Sequence, residues 1–152
     1  YEFVFGDGSS DVCSSDLVHA TRHRCAGGEC VIYLASPYSD ADPVVQQNRF
    51  DAVCRAAAAL MRRGIAVFSP IAHSHPIGRF GLPGDWAYWE QYDRQFIAWC
   101  DEVWVLMLDG WDRSVGVRAE MRLASQMGKP VRLVDPVELA TKNTPALAGL
   151  VL

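Results

Sequence analysis

The sequence has no excess of basic residues: 14 Lys and Arg face 18 Asp and Glu, for a formal net charge of −4. A protein that grips nucleic acid through its phosphates needs a basic face to displace counterions, so a nucleic-acid polymer is not expected as a partner. No apolar run approaches the roughly 20 residues needed to span a bilayer. The first residues also lack the basic-then-apolar order of a signal peptide, and no membrane partner is expected. The five cysteines, Cys13, Cys25, Cys30, Cys54 and Cys100, show no short paired spacing. That argues against a zinc cluster or a disulfide framework and leaves scattered reduced thiols, which suit the cytoplasm. Internal repeats, heptads and linkers are missing, as are the Walker and dinucleotide glycine fingerprints, so neither ATP nor NAD is implied.

The 152 residues present suit one domain with one hydrophobic core. Tyr1–Leu17 has neither helical nor strand periodicity and no Lys or Arg, and its Glu2, Asp7, Asp11 and Asp16 supply four of the 18 acids. Asp11-Val-Cys-Ser-Ser-Asp-Leu17 resembles a translated sequencing adapter, which is preferred here to a native acidic tail. We therefore expect residues 1–30 to form a non-native or disordered leader and residues 31–152 a single domain.

Val31–Ala35 is a short apolar, β-rich run closed by Ser36-Pro37, and reads as a buried strand. Asp42-Pro43 offers an N-cap with proline in the first helical position. Phe50, Val53, Ala57, Leu60 and Met61 then recur at helical spacing as far as Gly64. Ile65–Phe68 is a second strand, and the proline- and glycine-punctuated stretch Ile71–Gly84 reads as a long loop. Asp85 caps a helix running to about Cys100. Val103–Met107 is a third strand, Ser114 caps a third helix ending near Gly128, and Val131–Val134 is a fourth strand. After Pro136 the chain is at best weakly helical. Strands alternating with amphipathic helices imply an α/β fold: a doubly wound, Rossmann- or flavodoxin-like parallel sheet of four to five strands flanked by helices. In that architecture ligands bind beyond the C-terminal strand ends.

Two carboxylates fall on the wrong face of their helices. Asp93 lies four residues after Trp89 and four before Ile97, on the apolar stripe of its helix. Glu120 sits among Val117, Met121 and Ala124 on the inward edge of the next. Each must be ion-paired, hydrogen-bonded or functional, because a bare buried charge costs several kcal/mol. Two of them on consecutive helices can face each other at the mouth of the sheet and serve glycosyl transfer, one as nucleophile and one handling a proton. Ser114 followed by Gly116 exposes N–H groups at a helix start, which is either an N-cap alone or a phosphate seat.

Tyr33-Leu-Ala-Ser-Pro-Tyr38, Asp93 within Tyr-Asp-Arg, and Ser114-Val-Gly-Val-Arg-Ala-Glu120 together resemble the nucleoside 2-deoxyribosyltransferase superfamily. The likeness covers roughly Val31 to Pro136. It points to a branch carrying Ser-Pro-Ile-Ala-His-Ser-His-Pro, here Ser69–Pro76, near the deoxynucleoside 5′-monophosphate N-hydrolases. The resemblance implies that Glu120 attacks the deoxyribose anomeric carbon, that Asp93 assists proton transfer, and that Tyr33 lies beside the nucleophile. It also implies a homo-oligomer. Where nucleoside transferases carry an acid for the 5′-hydroxyl, this chain has Ser114, which suits a 5′-phosphate. One departure is the segment Ser36–Asp40, where the phosphate-binding relatives are rich in Gly and Arg; Arg49 is the nearest downstream base.

The expected substrate contacts are Ser36, Tyr38, His73, His75, Asp109, Trp111, Ser114 and Gly116, around catalytic Glu120, Asp93 and Tyr33. Trp111 is the candidate for stacking on a base, and Trp86 and Trp89 are assigned to the core. Neither a metal nor an organic cofactor is expected, and the partner is a small nucleoside or nucleotide. Two alternatives stand beside this N-glycosidase reading: a non-catalytic nucleotide-sensing module on the same fold, and a metal-dependent hydrolase centred on His73 and His75.

Overall fold

The computed structural model describes residues 24–25 and 28–141; Tyr1–Leu17, most of the expected leader and the chain after Thr141 lie outside the described residues. Arg24–Cys25 (β1) pairs antiparallel with Gly28–Glu29 (β2). From Val31 onward the pattern of strands and helices follows the hydrophobic periodicity closely. Val31–Ala35 forms β3, and Pro43–Arg62 forms α1, whose N-cap Asp42 accepts a hydrogen bond from the Val44 N–H. Gly64, at φ 72°, takes the left-handed turn that ends α1. Ala66–Phe68 (β4), Trp86–Trp99 (α3), Glu102–Leu106 (β5), Val115–Gln126 (α4) and Val131–Val134 (β6) all lie within a residue or two of their expected bounds. Pro136–Thr141 adds a short α5.

The expected loop from Ile71 is corrected: Pro70–Gly78 is a helix, α2. Ser69 caps it by accepting from the Ala72 N–H at 3.3 Å, and Pro70 occupies the first helical turn, where its missing N–H costs nothing. Pro76 lies inside α2, so its lost hydrogen bond falls close to the end of the helix. The cap signal outweighed the Pro and Gly punctuation.

The main sheet is parallel throughout, in the order β4-β3-β5-β6. The chain leaves β3 toward one edge to make β4, then returns to build β5 on the other side of β3. The gap between the ends of β3 and β5 is thus the topological switch point, where such sheets open a crevice. Side chains alternate across the sheet. Ile32, Leu34, Trp104 and Leu106 join the core beneath α1, whereas Tyr33, Ala35, Val103 and Val105 join the core under α3 and α4. Burial on both faces explains why these strands read as continuous apolar runs. Each fully buried large side chain contributes about 1.5–3 kcal/mol. The same alternation turns Tyr33 toward α4, where it becomes part of the site.

Cys30 is disulfide-bonded, which corrects the expectation of reduced thiols throughout; Cys54 and Cys100 are free. A bridge depends on which segments lie side by side in space, and cysteine spacing does not report that. Among the described residues no helix is long and apolar enough to cross a membrane.

Candidate active site at the switch point

A cleft of about 1110 Å³ opens beyond the C-terminal ends of β3 and β5. The turn after β3 forms one wall, with Ser36 and Tyr38; the turn after β5 and the start of α4 form another, with Asp109, Ser114 and Gly116. α2 contributes His75, and α3 contributes Trp86, Trp89 and Asp93. Glu120 reaches the cleft from the second turn of α4.

Asp93 and Glu120 are only 7% and 4% exposed, and among the described residues neither has an Arg or Lys partner. The Tyr33 hydroxyl donates to Glu120 Oε1 at 2.8 Å in a fully buried bond. Glu120 Oε2 is buried without any hydrogen-bond partner among the described residues. The two oxygens of one carboxylate are therefore unlike: one is held from below by a phenol, the other is unengaged. An unmet acceptor in a native interior has a functional or solvent-related cause, because such groups cost about 1–3 kcal/mol.

Burial pushes the Glu120 carboxyl up to about 8; the charge of Asp93 adds to the rise and the Tyr33 hydrogen bond opposes it. Burial pushes Asp93 up to about 6, again opposed by Tyr33. The phenol of Tyr33 is itself raised well above its usual value by burial and by the two carboxylates, so it remains a donor. Between about pH 6 and 8 the Asp93–Glu120 pair therefore holds one proton. A pair of carboxyl groups sharing one proton provides both a nucleophile and an acid.

The remaining sequence candidates divide. Ser36 directly follows β3 with its hydroxyl buried and unpartnered among the described residues, at the cleft wall. Ser114 caps α4, its Oγ accepting from the Val117 N–H at 3.4 Å, and the first-turn N–H groups of that helix have no intrahelical acceptor. His73 and His75 point to nearly opposite sides of α2, since two residues turn a helix by about 200°. His75 faces the cleft, bonded to Tyr38, while His73 packs against Phe68 and Phe96. They cannot chelate one ion, which removes the geometric basis of the metal alternative. Among the described residues no group of three His, Cys, Asp or Glu side chains is arranged to hold a metal.

Trp86 packs on the core as expected and borders the cleft as well. Trp111 packs on the core under α3 and α4 and is not brought to the cleft, whereas Trp86 and Trp89 line it. The Trp89 indole donates to the Pro83 carbonyl at 2.8 Å, fixing the segment that leads into α3. Trp86 lies against Gly116, where an added Cβ would come 3.7 Å from its ring. Stripe position put both on the inward face but could not say that the first turn of α3 borders the cleft.

Arg49, Arg79 and Arg113 line the cleft, and two of them border the switch point. Arg49, on α1, donates to the carbonyls of Ser39 at 2.8 Å, Tyr38 at 3.3 Å and Asp109 at 3.4 Å, and pairs with Asp40 at 3.4 Å. It ties together the two turns that flank the switch point. Arg113 approaches from the other side: a Cβ on Gly110 would meet the Arg49 and Arg113 guanidinium groups at 3.7 and 4.0 Å. Gly110 also takes φ 79°, a left-handed turn that favours glycine. Arg113 carried no sequence signal beyond adjacency to Ser114.

Among solved structures the chain is similar to a 2-deoxyribosyltransferase from the psychrotolerant bacterium Bacillus psychrosaccharolyticus, at 26% identity over 70% of this chain and 72% of that one, with a TM-score of 0.49. No curated protein matches it by sequence. Residues 30–135, which include both carboxylates, Tyr33 and Ser114, match the family model described as a domain of unknown function, DUF1937, and the chain belongs to that family.

Proposed function

We propose that this protein is an N-glycosidase of the deoxyribosyltransferase type, which cleaves or exchanges the base of a 2′-deoxynucleoside 5′-monophosphate through a covalent glycosyl-glutamate. The observation that carries this reading is the asymmetry of Glu120, a residue that lines the cleft: Oε1 accepts from Tyr33 at 2.8 Å, and Oε2 is buried with no partner among the described residues. The motif set from Tyr33 to Glu120 supports it independently.

In the first step the shared proton, which rests on Glu120 because burial raises its carboxyl more, passes to Asp93, and the ionised Glu120 attacks the anomeric carbon with Oε2. The glycosidic C–N bond breaks, its electron pair leaves with the base, and Asp93 supplies the proton that the departing nitrogen takes up. Tyr33 lowers the cost of the ionised carboxylate by donating to Oε1. In the second step water or a second base attacks the same carbon, the ester bond to Glu120 breaks, and Asp93 recovers the proton. The carboxylates and the leaving base supply all of this chemistry without a metal or organic cofactor. Two inversions at one carbon make the reaction retaining.

The monophosphate preference rests on Ser114 and the start of α4, where a hydroxyl, unsatisfied N–H groups and the adjacent Arg113 favour an anion. Arg113 and Arg49 supply the positive charge that the segment after β3 lacks. We also retain the expectation of a homo-oligomer.

The test is chromatographic detection of free base from a panel of deoxynucleosides and their 5′-monophosphates, with wild type beside Glu120→Gln. Release from monophosphates by wild type alone is expected. Nucleotide binding without base release would move the assignment to a nucleotide-binding module.

A further inference from the structure

α2 brings His75 to the cleft, yet the two steps above give it no task. Its imidazole stacks on Phe50, with ring centroids 4.1 Å apart and planes 19° from parallel. Its Nδ1 lies 2.8 Å from the Tyr38 hydroxyl. One face and one edge of the ring are thus fixed. The other ring nitrogen, Nε2, makes no hydrogen bond among the described residues. Tyr38 is constrained in turn, since its carbonyl accepts from Arg49 at 3.3 Å and it follows the fully buried Pro37. A ring held in this way loses little further freedom when a ligand meets its open edge.

The hydrogen bond between Tyr38 and His75 runs in either sense. When the phenol donates to Nδ1, the imidazole proton sits on Nε2, which then donates. When Nδ1–H donates to the phenol oxygen, Nε2 accepts and the phenol hydrogen is released to another acceptor. The pair therefore presents a donor or an acceptor at one place.

We infer that His75, held by Phe50 and Tyr38, reads the ring edge of the substrate's nucleobase and serves an amino or an oxo group there. The identity of the ligand rests on the N-glycosidase reading; the geometry of the pair does not. Tyr38 is a positioning residue, acting through His75.

The experiment measures dissociation constants in a Glu120→Gln background, where turnover is blocked. The probes are a 6-aminopurine and a 6-oxopurine 2′-deoxynucleoside 5′-monophosphate, with 2-deoxyribose 5-phosphate as the base-free control. His75→Phe keeps a ring for Phe50 to stack on and removes both nitrogens. Both nucleotides should lose roughly 10- to 100-fold in affinity, the range for removing one or two hydrogen bonds to a buried ligand, while the base-free sugar phosphate is unchanged. With Glu120 restored, KM should rise and kcat change by no more than a few-fold. Tyr38→Phe should give a smaller loss of the same pattern, and His75→Gln, which keeps an amide donor and acceptor, should recover part of the affinity. Unchanged nucleotide affinity in His75→Phe overturns the inference, as does an equal loss for the base-free sugar phosphate. Base release with unaltered KM in His75→Phe overturns the role of His75 and leaves the glycosidase standing. Base-dependent loss of affinity in a protein that never releases base does the reverse.

Discussion

Tyr33, in the middle of β3, donates its phenol hydrogen to Glu120 across the interface between sheet and α4, at 2.8 Å and out of contact with solvent. The bond leaves Oε2 as the unengaged carboxylate oxygen, and it stabilises the ionised form of an acid that burial otherwise favours as neutral.

Removing that bond has a defined consequence. Tyr33→Phe should leave the fold intact, because the ring still fills its place under α3 and α4. Glu120 loses the one interaction that lowers its pKa, so the carboxylate is harder to ionise. The pH at which activity rises should move upward, and kcat at pH 7 should fall about 10- to 100-fold, in line with a charge-assisted hydrogen bond of about 1.5–3 kcal/mol. A rate profile superimposable on wild type would remove Tyr33 from the chemistry.

The pH dependence of kcat/KM in the wild type should be bell-shaped. Below about 6 both carboxyls hold protons and no nucleophile exists; above about 8 both are ionised and no acid remains. The maximum should lie between the two, and Asp93→Asn should abolish the bell along with most of the rate. Full activity at pH 9.5 or so would contradict the shared proton.

Stability should carry the same signature with a definite sign. Both carboxyls titrate higher in the folded protein than in the unfolded chain, so the folded state binds the extra protons. Unfolding releases them between about pH 4 and 8, and stability falls as pH rises through that window, by at most about 1.4 kcal/mol per pH unit for each group. Glu120→Gln removes one of these groups. Thermal melts should show the variant losing less stability than wild type between pH 5 and 9, and exceeding it at the alkaline end.

Ser114→Asp tests the phosphate seat without endangering the helix, because Asp caps α4 as well as Ser does. A carboxylate beside the 5′-phosphate repels it, whereas it can accept from a 5′-hydroxyl. The ratio of kcat/KM for monophosphate over nucleoside should drop at least about 10-fold, the effect of one unfavourable charge contact near the surface. An unchanged ratio would place the phosphate elsewhere.

Sheet order apart, most of this fold was legible because each element follows its hydrophobic period and starts at a cap: Asp42, Asp85 and Ser114 all cap as their sequence context indicates. Asp93 and Glu120 could be singled out for the same reason, since a carboxylate at the spacing of an apolar stripe contradicts the pattern around it. The helix α2 was hidden because Pro76 and Gly78 read as breakers, while the cap that starts it, Ser69, doubled as the end of a strand. The Tyr38–His75 bond joins residues 37 apart in sequence, and nothing local encodes it. Trp86 and Trp111 both pack on the core under α3 and α4, and helical spacing does not report that Trp86 also borders the cleft. The Cys30 bridge was illegible for the same non-local reason.

The central claim is that Glu120 bonds to the sugar. Acid quench of wild type within the first turnover of a deoxynucleoside 5′-monophosphate, followed by peptide mass spectrometry, tests it most directly. The account predicts a deoxyribosyl phosphate adduct on the peptide carrying Glu120, absent in Glu120→Gln. Base release with no adduct, or with the adduct on Asp93, would contradict it.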